Sequence, residues 1–421
     1  MVLGANGTMG SGAAGVFASA GYHVTMLARD REKAAAGLQD AQSAARAEAI
    51  AELLAVGSYE EDLKPSVSEA SIIFESLAED LELKRQFFEK IDKFRKPDSL
   101  VATVSSGLSI AEMARGRSES FRRNFLGIHL YNPPHVIVGT EVIAGPETDS
   151  RVMTRTIELL KNRLGRKVIV ATDRPAFAGN RIGFKVLNEI AQLAESYGVA
   201  SVDYLIGPHT GRAMAPLATI DLVGWDVHAA IIDNVHENTE DEGHRFFAMP
   251  DYMREGLKRG HLGDKTPKKG GFYKRVGKDV EVLDPGTGGY RELEPAKQVA
   301  WVEKMKELHH VGRYRESLQV LAEAKGDDAD LARKVVLGYV SYALCRVGEV
   351  AETNDDIDLI MSTGFNWAPP SVFVDLLGPG ETIAMMRRYD LKVPAVVEQA
   401  ASNRHRLYSG NILDFGRTFV G

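Results

Sequence analysis

The chain has 421 residues, 44% hydrophobic and 26% charged, with a formal net charge of −7. That balance suits several ordinary globular cores and argues against nucleic-acid or anionic-membrane binding. No stretch is long and apolar enough to span a bilayer, and one cysteine, Cys345, excludes an intrachain disulfide and reads as a buried thiol in an apolar run.

In chain order, Val2-Leu3 reads as a strand, GANGTMGSG as a turn, AAGVFASA as a helix and YHVTML as a second strand. Residues 31–57, rich in Ala, Glu and Arg, read as helix. SIIFES (71–76), LVATVSS (100–106), FLGIHL (125–130) and KVIVAT (167–172) are apolar runs of strand length with helical patterns between most of them. Such alternation implies a mostly parallel sheet covered by helices. The first strand has about two apolar residues where a central strand has about five or six, which points to a natural chain starting upstream of Met1. Nothing in the opening resembles a signal peptide, and a cytoplasmic location is expected.

From Asp173 the pattern turns helical. The expected division is a doubly wound sheet domain over 1–172, a helical domain over 173–262, a Gly-, Lys- and Pro-rich linker or arm over 263–293, and a second helical domain over 294–421. The fold class is therefore α/β plus all-α, a Rossmann-type dinucleotide-binding domain followed by two related helical domains. ASVDYLIGPHTGRAMAPLATIDLVG (200–224) and NDDIDLIMSTGFNWAPPSVFVDLLG (354–378) share Asp-x-Leu-Ile, Gly, Ala-Pro and Asp-Leu-x-Gly, and read as copies of one helical unit.

Gly4, Gly7, Gly10 and Gly12 follow the first strand. Glycines there let backbone N–H groups at a helix N-terminus approach a pyrophosphate. The spacing is G-x-x-G-x-x-G, one residue longer than the usual fingerprint, with Asn6 expected in a left-handed conformation at the extra position. Gly4, Asn6, Gly7, Thr8, Met9 and Gly10 are thus candidate cofactor contacts. The second strand ends Ala28-Arg29-Asp30. An acidic residue there would hold the ribose 2′-OH of NAD, whereas Ala28 followed by Arg29 suits the 2′-phosphate of NADP, unless Asp30 reaches the ribose. Both cofactors stay open on this reading.

His129 closes an apolar strand before Asn132-Pro133-Pro134, at the sheet's carboxyl edge, where ligands bind in open α/β sheets. Its imidazole suits a base for oxidising a secondary alcohol, and Glu141 could orient the ring. His209, His228, His236 and His244 read as scattered and solvated, with no metal-ligand spacing.

HLYNPPHVIVGTEVI resembles the H-F-F-N-P-x-x-x-M-x-L-V-E-V signature of L-3-hydroxyacyl-CoA dehydrogenases. VSSGLSI (104–110), DRPAFAGNRI (173–182), APLATIDLVGWD (215–226) and KKGGFYKR (268–275) are similar to further segments of that family, in family order. The resemblance implies His129 as base, Glu141 as its partner, Ser106 on the substrate's 3-oxygen, Asn180 as a substrate contact, and Glu79 and Lys84 near cofactor and substrate. By residue pattern alone, Glu79 and Lys84 read equally as a solvated helix face. Val104, Ser105, Ala28, His135, Gly139, Ala176 and Gly179 depart from the family pattern. The resemblance also implies NAD or NADP as cofactor, an acyl-CoA substrate of fatty-acid β-oxidation, an enoyl-CoA hydratase or thiolase as partner, and a monomer or homodimer. Two alternatives remain: a β-hydroxyacid dehydrogenase using Lys185 and Asn188, and a non-catalytic subunit that binds nucleotide or acyl-CoA.

Overall fold

The computed structural model describes residues 1–294 and 297–411. The chain divides into two compact units, residues 1–178 with 349–352, and 179–348 with the residues from 353 on.

The first unit alternates strand and helix: β1 (Val2–Leu3), α1 (Thr8–Ser19), β2 (Val24–Ala28), α2 (Arg31–Ala45), β3 (Leu54–Ser58), α3 (Leu63–Glu69), β4 (Ile72–Glu75), α4 (Leu81–Phe94) and β5 (Leu100–Thr103). It continues through α5 (Ile110–Ala114), α6 (Glu119–Arg123), β6 (Phe125–Leu130), β7 (Gly139–Ala144), α7 (Ser150–Glu158) and β8 (Lys167–Ala171). The sheet order is β3-β2-β1-β4-β5-β6-β7-β8. Every pairing is parallel except β6 with β7. The order reverses beside β1, which creates the crevice at the strands' carboxyl ends where ligands settle in such folds.

Small residues set the packing. A Cβ on Gly37 of α2 would lie 2.0 Å from the Ala5 carbonyl oxygen, and one on Gly15 of α1 would lie 3.0 Å from that of Ala41. α2 therefore meets the turn after β1, and α1, backbone to backbone. Val2, Met26, Phe74, Leu126, Ile128 and Val142 supply one buried apolar layer under Phe17 of α1. β3 corrects the reading of 31–57 as helix throughout. LAVGS is a short run, and its five residues pair along the whole of β2.

The sheet unit continues past Thr172 to Ala178 and regains residues 349–352. There Ala351 bridges Ala171 in antiparallel fashion, and the Thr172 N–H donates to the Val350 carbonyl at 2.9 Å.

The second unit opens with α8 (Gly179–Tyr197), α9 (Val199–Leu205), α10 (Pro216–Val223), α11 (Trp225–Asn238) and α12 (Asp251–Arg259). The expected arm at 263–293 instead carries a three-stranded antiparallel sheet, β9 (Tyr273–Val276), β10 (Asp279–Leu283) and β11 (Tyr290–Glu292). Then follow α13 (Ala300–His310), α14 (Tyr314–Glu323), α15 (Asp327–Cys345), α16 (Asn354–Gly364), α17 (Pro370–Leu377), α18 (Pro379–Arg388) and α19 (Ala395–Asn403).

The two similar segments carry the same hydrogen bonds. Asp203 accepts the Leu217 N–H at the start of α10 at 2.8 Å, and Asp358 accepts the Ser371 N–H at the start of α17 at 3.0 Å. Asp221 accepts the N–H groups of Phe272 and Tyr273, and Asp375 those of Leu407 and Tyr408. Gly224 and Gly378 both take positive φ, 99° and 94°, after α10 and α17. Matching carboxylates capping matching helices are a duplication in chemistry as well as in sequence.

The expectations for five side chains change. His209 and His228 are buried, not solvated, and burial pushes them down to about 4 and about 3. His236 and His244 are half-buried and stacked at 4.2 Å between centroids. Cys345 is only half-buried, with its thiol pushed up to about 11 by burial. Among the described residues no His, Cys, Asp or Glu cluster could hold a metal, and no helix is long and apolar enough to cross a membrane.

Candidate active site

The turn after β1 is built on Gly4, whose φ is +75° and whose Cβ, if present, would lie 2.0 Å from the Ser76 carbonyl oxygen. The turn closes through the Gly7 N–H onto the Gly4 carbonyl at 3.0 Å. The left-handed residue is thus Gly4 and not Asn6, whose φ is not positive. A Cβ on Gly10 would lie 2.2 Å from the Gly4 oxygen. Asn6, Gly7 and Thr8 are exposed at the mouth, and no side chain caps the N-terminus of α1. Uncapped N–H groups at a bare glycine turn fit a pyrophosphate. A cavity of about 370 Å³ adjoins it, lined by Gly4, Asn6, Gly7, Arg29, Lys33 and Tyr59 among others. A larger cavity of about 560 Å³, lined by Met1, Phe17 and Ile72, lies at the strands' amino ends, away from the edge where this fold binds ligands.

Beside the turn, Lys84 is fully buried, which overturns the solvated-face reading for it. Its ammonium reaches Glu75 Oε1 and Oε2 at 2.9 Å and the Val104 carbonyl at 3.2 Å, and lies 3.6 Å from Glu79. Burial pushes Glu75 upward while Lys84 and Thr103 oppose the shift. Glu79 accepts the Ser105 hydroxyl at 2.6 Å and the Ser106 N–H at 2.7 Å. This network ties the ends of β4 and β5 and holds the half-buried Ser106 beside Glu79.

His129 and Glu141 face each other across the antiparallel β6–β7 pair. His129 Nδ1 hydrogen-bonds Glu141 Oε2, both side chains being buried. The Tyr131 hydroxyl donates to the same oxygen at 2.9 Å, and the Ala178 N–H donates to Oε1 at 2.9 Å. Burial and the Glu141 charge push the Tyr131 phenol far upward, so it stays a donor. Ala176 and Phe177 both take left-handed backbone, φ 61° and 53°, so the turn brings Ala178 onto Glu141 and the Phe177 ring within 5.7 Å of His129. Left-handed non-glycine residues cost of order 1 kcal/mol and cluster at functional sites. Asp173 anchors this turn by accepting the N–H groups of Ile110 and Ala111 and the Ser109 hydroxyl.

The loop between β6 and β7 contains a cis Asn132-Pro133 bond. Arg166 holds it from beneath, donating to the Pro134 carbonyl at 2.6 Å, the Ile137 carbonyl at 2.6 Å and Thr140 Oγ1 at 3.0 Å. Burial pulls this guanidinium down to about 10, so it remains charged at neutral pH. On the other side, a Cβ on Gly12 would lie 2.4 Å from Pro134 Cγ. Gly12 therefore serves the contact of α1 with the His129 hairpin. Arg166→Met should cost about 2 kcal/mol, because two carbonyls lose their donor, and should lower kcat by loosening the hairpin. Thermal melts and steady-state rates check both, and unchanged values would show the loop holds itself.

Asn180 is buried in the first turn of α8, in the second unit. Lys185 and Asn188 are spent within that unit. Lys185 bonds Glu189 at 2.7 Å, and Asn188 bonds the Phe246 and Ala248 carbonyls at 2.7 and 2.9 Å. Glu75, Tyr131, Arg166 and Lys33 were not singled out from the sequence. Of these only Glu75, an acid closing the apolar strand SIIFE, carried a visible signal.

Residues 1–174 match the family model "3-hydroxyacyl-CoA dehydrogenase, NAD binding domain", and residues 177–275 match "3-hydroxyacyl-CoA dehydrogenase, C-terminal domain". The chain is 31% identical over 347 residues to a probable 3-hydroxyacyl-CoA dehydrogenase of Bacillus subtilis, covering 82% of this chain and 43% of that protein. It is 35% identical over 289 residues to a probable 3-hydroxyacyl-CoA dehydrogenase of Deinococcus radiodurans, covering 65% of this chain and 82% of the relative. The fold is similar to the crystal structure of 3-hydroxybutyryl-CoA dehydrogenase from Escherichia coli K12, with a TM-score of 0.69, 19% identity, and coverage of 96% of this chain and 99% of the other. The chain thus spans less than half the length of its Bacillus relative and most of the length of the other two.

Proposed function

The chain belongs to the 3-hydroxyacyl-CoA dehydrogenase family, and we propose that it interconverts a 3-hydroxyacyl-CoA and the matching 3-oxoacyl-CoA in fatty-acid β-oxidation. The observation that carries this reading is the buried His129–Glu141 pair, with Tyr131 and Ala178 also donating to the carboxylate.

NAD, when bound, supplies the acceptor for the C3 hydride, and the Gly4–Gly10 turn would hold its pyrophosphate. With Nδ1 committed to Glu141, Nε2 of His129 is the atom that takes the 3-hydroxyl proton. Glu141 fixes the tautomer and faces the imidazolium that forms, while the Tyr131 and Ala178 donors hold that carboxylate in place. Ser106 is the group that polarises the 3-oxygen, a role its family motif supports. The bonds that Lys185 and Asn188 make within the second unit count against a lysine-based hydroxyacid dehydrogenase. Reactions that hydrate an enoyl-CoA and cleave a 3-oxoacyl-CoA are the expected neighbours, supplied by hydratase and thiolase partners.

Purified protein mixed with acetoacetyl-CoA and NADH should consume NADH, followed as absorbance loss. Turnover of free acetoacetate but not its thioester would overturn the substrate class. Dinucleotide binding without turnover on thioesters of several chain lengths would point to a binding subunit.

A further inference from the structure

We propose that Arg29 and Lys33 form a subsite for the ribose 2′-phosphate, so that the chain binds the phosphorylated dinucleotide at least as tightly as NAD. The inference rests on the reading above for the presence of a dinucleotide and adds which one the ribose pocket accepts.

Ala28 is fully buried at the last position of β2 and offers a methyl group where a carboxylate would hold a 2′-hydroxyl. The next acid, Asp30, is committed elsewhere. Its carboxylate accepts the Lys33 N–H at 2.8 Å as the cap of α2, and it is not among the residues that line the cavity. Arg29 and Lys33 do line it, together with the exposed glycine turn. Arg29 is exposed and has no hydrogen-bond or ion-pair partner among the described residues. Arg31, by contrast, turns away to Glu61 and Asp62. Lys33 is held by Asp30 at 3.2 Å on the exposed start of α2, an ion pair weak enough to yield to a doubly charged phosphate. A pocket that presents a guanidinium without a hydrogen-bond or ion-pair partner among the described residues favours the ligand carrying the extra anion, which a 2′-hydroxyl lacks.

Arg29 could instead lie flat on the adenine, which both dinucleotides share. The test separates these roles. Equilibrium binding to the full chain is measured with NADH and NADPH by nucleotide fluorescence, and with 5′-AMP and 2′,5′-ADP by calorimetry. NADPH should bind at least as tightly as NADH, and 2′,5′-ADP about tenfold or more tighter than 5′-AMP, the size of one charge-assisted contact. Arg29→Ala and Lys33→Ala, both at exposed positions that leave the fold intact, should each shift the NADPH to NADH affinity ratio toward NADH, Arg29→Ala by about tenfold or more. Ala28→Asp should shift it in the same direction. Equal weakening of both dinucleotides by Arg29→Ala would overturn the subsite in favour of adenine stacking. So would tenfold tighter binding of NADH by the unaltered chain. Absence of binding by either dinucleotide would overturn the dehydrogenase reading itself, and the subsite with it.

Discussion

His129→Ala should lower kcat for acetoacetyl-CoA reduction by about three orders of magnitude, within the range that a positioned acid–base group contributes. The substitution removes the His129 imidazole from Glu141 but leaves that carboxylate the Tyr131 and Ala178 donors. The fold should therefore survive, and circular dichroism and a thermal melt close to the parent's would show it. KM should change much less than kcat, because the lost interaction belongs to proton transfer and not to holding the thioester. A loss below about tenfold would remove His129 from the role of base and leave the buried pair as structural.

The largest effect on stability is expected from Lys84→Met. The Glu75–Lys84 pair is fully buried on both sides, and breaking such a pair by removing one partner costs about 3–5 kcal/mol because the other charge is left uncompensated. Adding Glu75→Gln should restore much of the loss, since the remaining groups are neutral, the amide oxygen can take the place of Oε1 toward the Leu77 N–H, and the Thr103 hydroxyl can turn to accept from the amide nitrogen in place of Oε2. The pH dependence has a definite sign. Burial already pushes Glu75 upward, and without the ammonium nothing of comparable strength opposes it. Its folded-state pKa then lies above its unfolded one, near 4.3, so the folded chain binds the extra proton between the two. The deficit should be full above the raised folded value, shrink as pH falls through that window, and vanish below the unfolded value. Denaturant titrations of parent, single and double variants at two pH values measure this. A pH-independent deficit would place its cause in packing and not in charge.

Local patterns and motifs carried much of the architecture. Alternating apolar runs announced the parallel sheet, four glycines announced the turn after β1, and the Asp-Leu-x-Gly repeats announced the paired helical copies. The pairing of His129 with Glu141 was also within reach, because the two stand in consecutive apolar strands that can pair side by side. What stayed hidden depends on contacts between segments far apart in the chain. By residue pattern Lys84 read equally as a solvated helix face or a residue near cofactor and substrate, and only the carboxylate at the end of β4 shows why an ammonium is buried there. Arg166 lies in an unremarkable basic stretch, and its task appears only when the Pro134 and Ile137 carbonyls turn toward it. β3 was lost because five residues of modest apolarity follow directly on a helical run. The small sheet at 273–292 was lost because Gly, Lys and Pro suggest loops, whereas here they make the turns between short strands.

The return of residues 349–352 to the sheet bears on where this chain could be shortened. β8 is the last strand of its sheet, and the Ala171–Ala351 bridge and the Thr172–Val350 hydrogen bond occupy part of its outer side. A fragment ending with the second matched segment, at 275, would leave those backbone groups bare beside the already exposed Val170. An open, apolar strand edge is a template for pairing with a second molecule. Residues 349–352 thus cover part of that edge, and a shortened chain is expected to need a substitute there, such as a charged side chain on β8, to remain dispersed.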